Sequence, residues 1–151
     1  MSIRNLDRLF SPRTVEVVGA SPKKSSIGRI VLLNLVGENF PGSVFPVNPK
    51  YAAIEEIPCF RCLADIREPL DLAVVCTPAD AVPGIVDECG RSGVLNVLIL
   101  SAGFRETGAT GLSLEQDVRR IAASYPKIRI VGPNCLGILS PHHSLSSCGA
   151  R

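Results

Sequence analysis

The stretch Val15-Glu16-Val17-Val18-Gly19-Ala20-Ser21-Pro22, followed by Gly28, decides how this chain folds. A β-branched apolar run breaks at a glycine, and Ile27, Ile30, Val31, Leu33 and Leu35 then recur at helical spacing with Ser26 placed as N-cap. Strand, loop and helix in that order bring backbone N–H groups, a helix N-terminus and a residue without Cβ to one point. A bound phosphate is the natural occupant of such a point, so the stretch reads as a nucleotide-type cofactor site.

The alternation continues along the chain. Residues 43–47 form a second strand closed by Asn48 and Pro49, and residues 71–76 a third that ends at Thr77 and Pro78. Val82, Ile85, Val86 and Cys89 mark a helix that stops before Gly93, and residues 95–100 give a fourth strand. Leu114, Val118, Ile121 and Ala122 supply another helical face, Pro126 ends it, and residues 128–131 complete the set. Strands that are apolar throughout and separated by amphipathic helices call for a parallel sheet covered on both faces. Right-handed crossovers then predict an α/β fold, a Rossmann-like, doubly wound, mostly parallel sheet in a single domain over residues 1–141. Residues 142–151 carry no periodic signal and are expected to be a tail or the start of a connection. The loops at 19–26, 48–51, 77–79, 101–105 and 132–137 all follow strands, so they converge at the carboxyl edge of the sheet.

Composition narrows the function. The 151 residues carry a net charge of +2 with 20% charged side chains, which suits neither a nucleic-acid stripe nor an acidic tail. Between Arg13 and Lys50 the bases are Arg13, Lys23, Lys24, Arg29 and Lys50 and the acids only Glu16 and Glu38, a locally positive field. No run approaches the about 18 apolar residues of a membrane span, and the N-terminus lacks a signal-peptide core, so a cytoplasmic protein is expected. The six cysteines fall mostly within apolar runs, as reduced core thiols do.

A dinucleotide site usually carries an acidic residue about 20 positions past its glycine loop, at the end of the second strand, to hold a ribose hydroxyl. Here that strand ends Phe45-Pro46-Val47-Asn48-Pro49-Lys50. No carboxylate stands there. Lys50, aimed by the turn at Pro49, suits a phosphate instead, which argues against NAD and for a nucleotide with additional phosphate on its ribose.

Four motifs carry a family resemblance: Val17-Val18-Gly19-Ala20-Ser21, Val47-Asn48-Pro49-Lys50-Tyr51, Ser101-Ala102-Gly103-Phe104-Arg105-Glu106 and Gly132-Pro133-Asn134-Cys135-Leu136-Gly137. Their combination and order resemble the coenzyme A (CoA)-binding domain of NDP-forming acyl-CoA synthetases, relatives of the succinyl-CoA synthetase alpha subunit, from Leu9 to about Pro141. The resemblance implies that Gly19, Ala20, Ser21, Pro22, Lys23 and Gly28 meet the CoA phosphates. It places Val47, Asn48 and Lys50 at the adenosine 3′-phosphate end and has Thr77 and Pro78 flank the cofactor. Ser101, Ala102, Gly103, Phe104, Asn134 and Cys135 then lie toward the pantetheine thiol. It also implies a phosphohistidine in a second, flavodoxin-like domain and an ATP-grasp module for the nucleoside triphosphate, as downstream domains or separate subunits. His142 and His143 do not match the phosphohistidine context, so this chain is expected to bind CoA or acyl-CoA and to hold no catalytic residue. The whole protein would be a ligase or a synthetase-like protein acetyltransferase.

Other readings start from the same residues. Cys59 and Cys62 form one C-x-x-C pair, but a structural zinc site needs four ligands and no second pair is evident, so no metal is expected. Cys135 has neither an adjacent histidine nor an orienting carboxylate, which favours a small residue beside a turn over a nucleophile. An NAD(H)-binding redox-sensing or dehydrogenase domain, and a regulatory CoA-binding module without catalysis, are the alternative functions.

Overall fold

Strands with no polar alternation form the centre of the computed structural model, which describes residues 5–37 and 39–149. In chain order the elements are α1 (Leu6–Phe10), β1 (Thr14–Val18), α2 (Ile27–Gly37), β2 (Ser43–Val47), β3 (Ala53–Ile54), β4 (Ile57–Pro58) and β5 (Leu72–Val75). They continue with α3 (Val82–Ser92), β6 (Asn96–Ile99), α4 (Ala109–Ala123), β7 (Arg129–Val131), β8 (Leu139–Ser140) and β9 (Leu145–Ser146). The main sheet has the order β2-β1-β5-β6-β7 and is parallel throughout. Strand order reverses between β1 and β5. That is the topological switch point where open α/β sheets bind ligands.

Side-chain alternation on β1 sends Val15 and Val17 to one face and Val18 to the other. The first face packs on α2 through Val31, Leu32 and Leu35, and the second on α3 and α4 through Val82, Val86, Cys89 and Val118. Each such aliphatic side chain contributes about 1.5–3 kcal/mol on burial, which is why both faces are covered. Glu16 shares the face of Val18 and is fully buried.

Three features differ from the sequence expectation. The helix after the glycine loop buries Gly28, Val31, Leu32 and Leu35, while Ile27 is 44% exposed, so the packed face starts one residue later than the apolar pattern suggested. Gly28 sets that face, because the absence of a side chain lets α2 press against the end of β1. The β3–β4 hairpin, whose strands are too short for periodicity to register, docks on β2 through a bridge from Val47 to Phe60 and an edge-to-face contact of Phe45 and Phe60 at 5.6 Å. Residues 142–149, expected as a tail or connection, fold back so that β9 pairs with β8, which lies just before them. Leu145, Ser146 and Ser147 are buried there, and the Asn34 amide donates to the Cys148 carbonyl at 3.1 Å. Glu38, counted in the local charge balance, lies outside the described residues.

Candidate functional site

The loop after β1 is held open by its own backbone. Gly19 has φ +88°, and a Cβ there would stand 2.9 Å from the Thr77 methyl and 3.0 Å from the Cys76 carbonyl carbon, so only glycine brings the loops after β1 and β5 this close. Its N–H donates to the Val47 carbonyl at 2.9 Å. Asn48 completes the junction: its side-chain amide donates to the Ala20 carbonyl and its oxygen accepts the Lys50 N–H, both at 2.9 Å. Ser21 accepts the Lys23 N–H at 3.2 Å.

Between these loops lies a cavity of about 470 Å³. Of the residues expected to bind ligand, Gly19, Ser21, Lys23, Val47, Asn48, Lys50, Thr77 and Pro78 line it. Ala20 and Gly28 are buried beneath it as packing residues, and Pro22 lies exposed in the loop. The structure adds Arg61 and Glu88, which no sequence motif marked, and Cys62, singled out only as half of a C-x-x-C pair. Phe60 accepts the Asn48 N–H and donates to the Pro46 carbonyl, both at 2.9 Å, which carries Arg61 and Cys62 to the rim. Within the C-x-x-C pair the Cys59 thiol instead faces the carbonyls of Asn48 and Phe60 at 3.6 and 3.7 Å.

The electrostatics of the cavity are uneven. Lys23, Lys50 and Arg61 form no ion pair with any described residue. The Thr77 hydroxyl is enclosed and has no hydrogen-bond partner among the described residues. A buried hydroxyl without a partner costs about 1–3 kcal/mol. A larger hollow of about 820 Å³ at the opposite, amino edge is different in kind. Its Asp71 carboxylate already accepts the Arg13 N–H at 2.8 Å and lies 3.7 Å from Arg8.

The remaining expected residues gather over β6 and β7. Ser101 is buried, and its carbonyl accepts the Asn134 N–H at 3.0 Å. The Cys135 thiol donates to the Ile99 carbonyl at 3.3 Å. Burial pushes the Cys135 thiol up from its ordinary range. Cys76, which lines the cavity, is pushed up to about 12 by burial and then by the neighbouring Cys135. Thiols in that state are not nucleophiles at neutral pH. Ala102 is exposed, whereas Phe104 is fully buried in the core, so its ring anchors the loop rather than facing a ligand. The Gly103 and Phe104 N–H groups donate to the Glu106 carboxylate at 2.6 and 3.1 Å, which holds that carboxyl below its ordinary range. Among the described residues no helix is long and apolar enough to cross a membrane.

A parallel sheet with a glycine-held cavity at its switch point, rimmed by uncompensated cations, defines a nucleotide-binding α/β domain. The chain belongs to the CoA binding domain family, whose model matches residues 13–141. It is similar to the acetate–CoA ligase [ADP-forming] I of Archaeoglobus fulgidus, with 40% identity over 97% of this chain and 21% of that protein. The alpha subunit of acetate–CoA ligase [ADP-forming] I from Pyrococcus furiosus is 37% identical over 89% of this chain and 30% of its own length. Among solved structures, acetyl-coenzyme A synthetase 1 of Ca. Korarchaeum cryptofilum in complex with phosphate and ADP superposes with a TM-score of 0.91 at 36% identity, covering 97% of this chain and 31% of that one. The chain therefore spans a fifth to a third of the length of these relatives.

Proposed function

We propose that the cavity at the ends of β1, β2 and β5 binds coenzyme A, and that the domain serves as the CoA-binding module of an ADP-forming acyl-CoA synthetase. The observation that carries this reading is the meeting of Lys23, Lys50 and Arg61, free of ion pairs, with the unsatisfied Thr77 hydroxyl around one cavity. A polyanionic nucleotide answers the three cations. Backbone amides of the loop after β1 and the start of α2 receive the diphosphate, because the first N–H groups of a helix have no partner within it. Lys50 and Arg61 receive the 3′-phosphate, the guanidinium through paired hydrogen bonds. The pantetheine arm runs over Ser101 and Asn134 toward Cys135, where small residues and main chain leave room for it.

The domain binds and orients the thiol substrate; it does not form the thioester. His142 and His143 sit in a terminal turn where Ser140 bonds His143 at 3.0 Å, away from the cavity lining. Thioester formation then falls to partner domains or subunits, a ligase domain and an ATP-grasp module.

Substitution separates the cations. Charge-assisted hydrogen bonds contribute about 1.5–3 kcal/mol, so Lys50→Ala and Arg61→Ala are each expected to weaken CoA by about 10- to 100-fold. Dephospho-CoA should weaken by less than about threefold, since it lacks the group those cations meet. Calorimetric titration of both ligands checks this; equal losses for the two would remove the 3′-phosphate from this end of the cavity.

A further inference from the structure

One feature of the cavity conflicts with a purely phosphate-binding role. Glu88, on α3, lines it together with Lys50 and Arg61. A carboxylate facing a phosphate is repulsive, and Glu88 makes no ion pair with Arg61 or with any other described residue that would neutralise it. Its position is nevertheless fixed. Oε1 accepts the Leu63 N–H at 2.7 Å, at the turn that follows Arg61 and Cys62, while Oε2 takes no hydrogen bond from the described residues. Besides these cations, the lining includes apolar or weakly polar residues: Ile85 on α3, Ala81 in the turn just before it, and Cys62 and Pro78 from the adjoining loops. A flat ring fits such walls, and a half-buried, anchored acceptor among them selects a ring that carries a donor.

We propose that Glu88 reads the exocyclic amino group of the adenine base, with Oε2 accepting its N–H. This rests on the CoA reading of the cavity and extends it, making Glu88 a specificity-determining residue for the base rather than for the phosphates. The choice of acceptor has a chemical consequence. Hypoxanthine, which has a carbonyl where adenine has the amino group, would set an oxygen lone pair against the Glu88 carboxylate. A site built to accept a hydrogen bond rejects the analogue that cannot donate it.

The test uses the 151-residue chain and two ligands, CoA and its deaminated hypoxanthine analogue, titrated calorimetrically against wild type, Glu88→Gln and Glu88→Ala. Wild type is expected to prefer CoA by about tenfold or more. Glu88→Gln keeps a carbonyl oxygen for the Leu63 N–H and turns an amide donor toward the base, so its preference should fall to about twofold or invert in favour of hypoxanthine. Glu88→Ala should lower CoA affinity and abolish the preference. Retention of the wild-type ratio in both variants overturns the assignment. So does an equal loss of both ligands, which would place Glu88 at a ribose hydroxyl or in a merely structural role. Wild type that binds CoA well but does not discriminate leaves the CoA reading standing and overturns the role of Glu88. Wild type that binds neither ligand overturns both.

Discussion

Between pH 4.5 and 7 the protein is expected to lose about 3 kcal/mol of unfolding free energy through Glu16 alone, and the Glu16→Gln variant to lose almost none by this route. Glu16 is fully buried in the middle of β1, and neither carboxylate oxygen has a hydrogen-bond partner. The nearby Thr14 hydroxyl offers little: it donates to the Pro69 carbonyl and accepts the Asp71 N–H, both at 2.9 Å. Desolvation, reinforced by the Asp71 charge, therefore raises the Glu16 pKa from 4.5 to about 8. The folded state then binds its proton more tightly than the unfolded chain does. Stability from this group is complete below pH 4.5, where both states are protonated, and declines as pH rises through about 8. Urea unfolding at half-unit pH intervals reads the slope directly. Wild type and Glu16→Gln curves that run parallel across this window would mean that Glu16 ionises freely in the fold.

Gly28→Ala is expected to destabilise the domain by about 3 kcal/mol and to weaken CoA at least tenfold. An added Cβ would collide with the Gly19 carbonyl oxygen and stand 2.9 Å from the Ala20 Cα and 3.0 Å from the Gly19 carbonyl carbon. All three are main-chain atoms, so no rotamer change relieves the contact. The helix must lift from the strand, and the loop that presents amides to the diphosphate moves with it. Gly84→Ala in α3 is the control, because its Cβ would meet nothing within 4 Å. It should raise stability by about 0.5–1 kcal/mol through helix propensity and leave CoA affinity unchanged. Chemical denaturation and titration of the two variants together separate the collision from the general effect of replacing a helical glycine. A Gly28→Ala protein as stable and as tight-binding as wild type would show that the close approach is not what shapes the loop.

The sheet was legible because its strands are apolar runs bounded by Gly, Pro and Asn, and buried parallel strands leave that trace. The loop after β1 and the end of β2 were legible for a related reason: Gly19, Asn48 and Lys50 are local turn chemistry at strand ends. Arg61 and Glu88 were not. Arg61 reaches the cavity only because Phe60 bonds to both Asn48 and Pro46, a pairing between segments without periodicity. Glu88 sits in a helix whose regular pattern announces Val82, Val86 and Cys89 as core and says nothing about which polar neighbour overlooks a cavity. Glu16 enters the charge balance between Arg13 and Lys50 as one acid among the residues of that stretch, whereas the strand carries it into the core. Phe104, expected beside the ligand, shows the converse: a motif residue whose side chain serves packing while its loop faces the carboxyl edge.

A thermal-unfolding titration with CoA and, separately, NADH tests the central claim most directly. A ligand at about 100 times its dissociation constant stabilises its site by about 2.7 kcal/mol, enough for an unmistakable rise in the midpoint. CoA is expected to produce that rise, and Lys50→Ala to reduce it, while NADH leaves the midpoint where it was. A rise with NADH and none with CoA would contradict the account.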